Sequence, residues 1–174
     1  MTGDSIIYKM TKKVNDKIDE FEALILGNCP TVDCPVTHKF APGMYIRKIF
    51  MPAGKDGIWV TSLIHNTIHP FFVMKGKVTV YSENDGIQEL ETGYEGMTYP
   101  GTRRILHVKE DTVWITVHST AVRPKNASDE AIQEAVDLIA SEILEPHINH
   151  VLGAVVKNNV IKPMIEENNI VNIK

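Results

Sequence analysis

His65 and His69 stand in the segment His65-Asn-Thr-Ile-His69-Pro-Phe-Phe-Val-Met-Lys-Gly76, between a β-branched run and a glycine. Neutral imidazole is the common ligand of divalent transition ions, and two such groups on one bend can share an ion. A third histidine, His118, ends the alternating run Val113-Trp-Ile-Thr-Val-His118. If the polar faces of both runs line one interior, His65, His69 and His118 converge. Three such nitrogens suit Zn, Ni, Fe or Cu with positions left open for water. Arg104, with His107 shortly after it, is the ligand-binding candidate. A guanidinium stays protonated, so it does not ligate a metal, but it binds carboxylate or phosphate through two parallel hydrogen bonds. The plainer reading makes His65 and His69 half-buried and bonded to backbone, His118 the mere end of a strand, and Arg103-Arg104 ion-pair partners for Glu110-Asp111. No Ser-His-Asp set, phosphate loop or nucleophile elbow is present, so no catalytic residue is assigned.

What must position these residues is a succession of short β-like runs. Thr37–Phe40, Met44–Met51, Ile58–Ile64, Phe71–Met74, Lys77–Tyr81, Gln88–Glu91, Gly96–Tyr99, Arg104–Val108 and Val113–His118 are separated by turn signals such as Ala41-Pro-Gly and Pro100-Gly. Asn84-Asp-Gly86 is the strongest hairpin signal. Many short strands without helices between them indicate an all-β sandwich or barrel. On a strand from Trp59 to His65, alternation puts Trp59, Thr61, Leu63 and His65 on one face. Phe71, Phe72, Trp59 and Trp114 read as core.

Two helices flank this region. From Ser5 to Leu26, Ile7, Met10, Val14, Ile18, Phe21 and Ile25 recur at helical spacing, opposite a solvated face of Lys12, Lys13, Asp16, Asp19 and Glu22. Gly27 is the expected cap. The apolar face can cover its own barrel or a neighbouring subunit. Ser128 is the expected cap of a second helix with acids in its first turn, a stripe of Ile132, Val136, Ile139 and Ile143, and a stop at Pro146. The expected organisation is a helix over residues 1–27, a barrel over 28–122, a helix over 123–146 and an extended interaction arm over 147–174. Helix and arm are expected to make a homo-oligomer.

Charge and composition narrow the class. The 174 residues are 43% hydrophobic and 23% charged, enough to bury a core. A net charge of −4 and a pI near 6.0 supply no basic field for nucleic acid. No window approaches the roughly 20 apolar residues of a membrane span, and no leader pattern is visible, so a cytosolic protein is expected. Cys29 and Cys34, with His38 nearby, fall short of a metal site, and inert connector thiols are expected.

The spacing His65-x3-His69-x6-Gly76 resembles the first motif of the cupin superfamily, whose two histidines and glutamate bind a divalent metal inside a small β-barrel. Aligned on Gly76, His65 takes the second histidine position, His69 the glutamate position and Leu63 the first histidine position. Gly96-Met-Thr-Tyr-Pro-Gly-Thr-Arg-Arg104 is similar to the second motif in outline, with Arg104 near its histidine. A more specific resemblance, over Cys34 to Thr120, is to the cupin-like proteins of unknown function encoded in tailed-phage genomes. It is carried by Pro35-Val-Thr-His38, Phe40-Ala-Pro-Gly-Met-Tyr-Ile-Arg47, Pro52-Ala-Gly54, His65-x3-His69, Pro100-Gly-Thr-Arg-Arg104 and Glu110-Asp-Thr-Val-Trp-Ile-Thr-Val-His118. These resemblances imply a single cupin-type jelly roll with a degenerate metal site. The first functional expectation is a structural or assembly protein, homo-oligomeric or in contact with other virion proteins, located in the host cytoplasm or the virion. The alternative is a metal-dependent enzyme of dioxygenase, isomerase or sugar-modifying type, its metal on His65 and His69 and its substrate anion on Arg104.

Overall fold

The computed structural model describes residues 17–82, 85–144 and, as a backbone strand, 155–157. Among the described residues, ten strands form two five-stranded sheets. The first has the order β1-β2-β9-β4-β7, built from β1 (Val36–Ala41), β2 (Met44–Met51), β9 (Thr112–Ser119), β4 (His69–Lys75) and β7 (Glu95–Thr98). The second has the order β10-β3-β8-β5-β6, built from β10 (Val155–Lys157), β3 (Ile58–Thr61), β8 (Arg104–Val108), β5 (Lys77–Ser82) and β6 (Gly86–Glu91). The pairings between strands are antiparallel. The fold is an all-β jelly roll: the spacing of turn residues implied an all-β sandwich or barrel, and the resemblance implied the jelly roll.

Alternation along each strand fills the space between the sheets. Met51, Ile58, Val60, Phe71, Val73, Val78, Val80, Leu90, Leu106, Val108 and Trp114 form one buried cluster. The expected hairpin forms, with Ser82 paired to Gly86. Gly76 turns β4 into β5 at φ +96, where a Cβ would stand 2.4 Å from Thr112 Oγ1 and 2.5 Å from Asp111 O. Both facts require glycine there.

The described part of the first helix, α1, covers residues 17–28 and continues through Gly27 rather than stopping at it. Its Ile18, Phe21 and Ile25 pack on Trp59 and Ile105, the outer face of the second sheet. The solvated face expected for it is corrected at Glu22, which is buried. Glu22 lies one helical turn from Ile18 and shares its face. Its carboxylate receives Arg103 and the Thr61 hydroxyl, and Arg103 also pairs with Asp19. Arg103 is thus matched with acids of α1 and not with Glu110 or Asp111; Asp111 instead accepts from the Ala53 amide. The Ser5–Asp16 stretch lies outside the described residues.

The second helix, α2 (Asp129–Ile143), begins as expected, with Ser128 Oγ accepting from the Ala131 amide. Its buried stripe is rotated by one residue from the expected one: Ala131 and Ala135 accompany Ile139 and Ile143, while Ile132 and Val136 are half-buried. Small residues allow the helix to lie close to the barrel. Tyr45 joins Ile139 and Ile143 in a third cluster. Pro146 and most of the 147–174 arm lie outside the described residues; 155–157 pair with β3.

Candidate metal centre

The inner faces of β2, β9 and β4 carry the site. On β9 the alternation puts Trp114, Thr116 and His118 inward, and the β2 register sets Tyr45 opposite His118 and Arg47 opposite Thr116. His69, the first residue of β4, points the same way as Phe71 and Val73 and is buried. His65 arrives by another route. β3 ends at Thr61, and both Trp59 and Thr61 face α1. The shared face expected from Trp59 to His65 therefore does not exist; the chain leaves the sheet at Ser62, and Leu63 and His65 turn inward as a loop.

That loop is pinned on three sides. Ser62 N donates to Arg104 O and Ser62 Oγ accepts from Arg104 N, while Arg103 Nε donates to Ser62 O. His65 forms a bridge with Leu144, Asn66 N donates to Ile143 O at the end of α2, and Gly101 N donates to His65 O. A histidine on an irregular segment is held as firmly as one on a strand.

His65, His69 and His118 offer ring nitrogens that all lie within 4.8 Å of one another. Small side-chain rotations bring such a set to the ~4 Å or less that separates two imidazole nitrogens across an ion with ~2.0–2.1 Å bonds. His69 Nδ1 lies 3.2 Å from Thr67 O and donates to it, which turns Nε2 free. His118 Nε2 lies 3.0 Å from Thr116 Oγ1, which leaves Nδ1. The Nδ1 atoms of His65 and His118 are buried and have no hydrogen-bond partner among the described residues. Buried polar nitrogens are rarely left so, and two in one cluster call for a ligand. Orientation of one ring nitrogen by a hydrogen bond while the other faces an ion is the usual arrangement of metal-binding histidine.

Electrostatics favour the ligating form. Burial, then the charges of His69, His118, Arg104 and Arg47, pushes His65 down to about 3. Burial, then His69 and Arg47, pushes His118 down to about 3 as well. His69 is lowered by burial, partly offset by its bond to Thr67 O. All three rings are neutral at pH 7, with a lone pair available. The donor set fits a divalent ion of the Zn, Ni, Fe or Cu group.

The cluster opens into a cavity of about 180 Å³. Its walls are mainly apolar, from Ile49, Leu63, Leu106 and Trp114 on the barrel side and Val136 and Ile139 on α2. Arg104, an expected ligand-binding residue, lines it: Nη1 donates to Thr98 Oγ1 at 2.9 Å and the guanidinium lies 5.0 Å from the centre of the Phe71 ring. His107, the other, is not brought there. It alternates with Leu106 to the outer face and stacks on Trp59 at 4.4 Å. Arg47 was missed by the sequence reading, although its place between inward Tyr45 and Ile49 on β2 is the signal that finds it. Cys29 and Cys34 are unpaired thiols, and His38 bonds the Tyr45 hydroxyl at 2.7 Å.

The two sheets form a jelly roll that gathers three histidines between its inner faces as a candidate metal centre. No protein-family model and no curated protein matches the sequence. Among solved structures, ectoine synthase from P. lautus aligns with 70% of this chain and 83% of its own at 8% identity and a TM-score of 0.47. A cupin superfamily protein from Desulfitobacterium hafniense aligns over 53% and 82% at 10% identity and 0.43. An RmlC-like cupin from Shewanella frigidimarina aligns over 55% and 86% at 18% identity and 0.41. These likenesses concern barrel architecture and say nothing of activity. No helix among the described residues is long and apolar enough to cross a membrane.

Proposed function

We propose that this chain is a metal-dependent enzyme acting on a small molecule, with a divalent ion held by His65, His69 and His118. The observation that carries it is the pair of buried, unpartnered Nδ1 atoms of His65 and His118, in a neutral cluster that opens into a cavity. When bound, the ion would act as a Lewis acid on an oxygen of the substrate, the chemistry shared by the isomerase, dioxygenase and sugar-modifying readings. The chain's residues do the rest. Thr67 and Thr116 fix two of the rings, and Leu63, Ile139 and Ile143 keep the cavity poor in water. Among the described residues no Asp or Glu lines the cavity, so none of them serves there as a carboxylate base. The Tyr45 ring stacks on His118 and its hydroxyl bonds His38 Nδ1; burial holds Tyr45 up at about 12, so the phenol keeps its proton.

The assembly reading drawn from the phage-type resemblance needs apolar surface to spend on partners. The described part of α1 spends Ile18, Phe21 and Ile25 on its own barrel, which favours the enzyme. The test is elemental analysis of purified, untagged protein after loading with each of the four ions. About one ion per chain is expected, lost in His65→Ala/His69→Ala with the fold intact by circular dichroism. Metal content near zero, or unchanged in the double variant, overturns the proposal.

A further inference from the structure

The cavity holds cationic side chains without an anionic one. Among the described residues its wall includes Arg47 and Arg104 but no Asp or Glu. Arg104 is partly accounted for, by its bond to Thr98, its place over Phe71 and the field of Asp85. Arg47 is not. It stands mid-strand on the inner face of β2, with His38 opposite it on β1 and Thr116 opposite it on β9, and its side chain makes no hydrogen bond or ion pair among the described residues. The groups whose fields reach it are Tyr45 and Cys34. Burial pushes Tyr45 up to about 12 and Cys34 up to about 11, so both are uncharged at pH 7. His38, also held neutral by burial and by Arg47 itself, adds no negative charge.

A guanidinium keeps its charge even when buried and is costly to hold without a counter-ion. Isolated in an apolar wall, beside three histidines fit for a cation, Arg47 makes the site doubly deficient in negative charge. A ligand that enters must supply it.

Resting on the reading of this cavity as a metal-dependent site, we propose that its substrate is a small carboxylate with an apolar body, and that Arg47 holds the carboxylate. The planar fork of arginine matches the two oxygens of that group. The cavity of about 180 Å³ admits a compact molecule, and its Leu63, Val136 and Ile139 walls suit a branched or cyclic hydrocarbon body. A phosphate is the poorer fit, because its extra charge and third oxygen would need donors beyond the fork of Arg47, and Arg104 is already engaged with Thr98. Arg47 then sets which molecules enter, while the histidines set what is done to them.

The test is calorimetric titration with 3-methylbutanoate, 3-methylbutanamide and inorganic phosphate, on zinc-loaded and on EDTA-stripped protein. The acid is expected to bind at least about ten-fold more tightly than the amide, in line with a charge-assisted bond. Arg47→Met should remove that preference without changing affinity for the amide or the zinc content, and Arg47→Lys should keep part of it. If Arg47→Met fails to fold, Arg47→Lys decides: a preference undiminished by the loss of the two-pronged fork overturns the proposal. It is also overturned if acid and amide bind alike, if neither binds, or if phosphate binds more tightly than the acid. An Arg47-dependent preference for the acid in protein that takes up no zinc supports the carboxylate site and overturns the metal reading alone.

Discussion

Replacing Arg103 by methionine should remove about 4 kcal/mol of stability. The side chain is 1% exposed and that of Glu22 4%, whereas Asp19 is 45% exposed. The Asp19 pair is screened by water and is worth about 0–1 kcal/mol. The Glu22 pair differs in kind: removing one partner strands a buried carboxylate, at about 3–5 kcal/mol. Among the described residues Glu22 Oε1 already lacks a partner, so the stranded group has little there to turn to. For a chain of 174 residues, about 4 kcal/mol lowers the melting temperature by roughly 8–16 °C. Urea denaturation followed by tryptophan fluorescence is the assay, because Trp59 lies edge-on to Phe21 at 5.8 Å beneath α1 and reports its departure. The companion variant Arg103→Met/Glu22→Leu replaces the charge pair with apolar groups and should recover most of the loss. A single variant within about 1 kcal/mol of the parent, or a double variant no better than the single, refutes the reasoning.

Acid should destabilise the metal-free protein. His65 and His118 are held at about 3 against an ordinary 6.5, so between those values the unfolded chain takes up protons that the folded chain refuses. Stability is whole above pH about 6.5 and falls toward pH 3, by about 1.4 kcal/mol per pH unit per histidine; equal urea midpoints at pH 7 and pH 5 would sink this. Zinc at about a hundred times its dissociation constant should add about 3 kcal/mol to the parent and nothing to His65→Ala/His69→Ala, as read by thermal melts. Gly76→Ala should cost about 2 kcal/mol or more, from its positive φ and the contact with Asp111 O. Gly27→Ala, with open space around its Cβ, should be neutral or stabilising in the same urea titration.

The strands were legible because glycine, proline and polar clusters punctuate them, and because Tyr45, Ile49 and Met51, or Trp114 and His118, alternate cleanly. The convergence of the three histidines was legible in outcome but not in route. Alternation was carried from Trp59 to His65, past the point where β3 ends at Thr61. Where a strand yields to a loop, period two carries no information about direction. His107 was misplaced for a related reason: the two faces of β8 are both largely buried, one by the core and one by α1, so hydrophobicity does not mark which is inner. The partners of Arg103 lie 84 and 81 residues away, and only the packing of α1 reveals them. Arg47 was readable from its alternation with Tyr45 and Ile49, yet it entered only as part of a motif and was given no role.

Arg103 and Arg104 are neighbours in sequence and face opposite ways, one toward α1 and the other into the cavity. In genetic terms this makes the two positions separable and yet jointly fragile. Point substitutions at Arg103 should appear as temperature-sensitive alleles, and those at Arg104 as stable proteins with altered selectivity. Deletion of one codon just before them would set Arg104 in the place of Arg103 and Ile105 in the place of Arg104, so this short span should tolerate neither insertion nor deletion even where either residue alone can be changed.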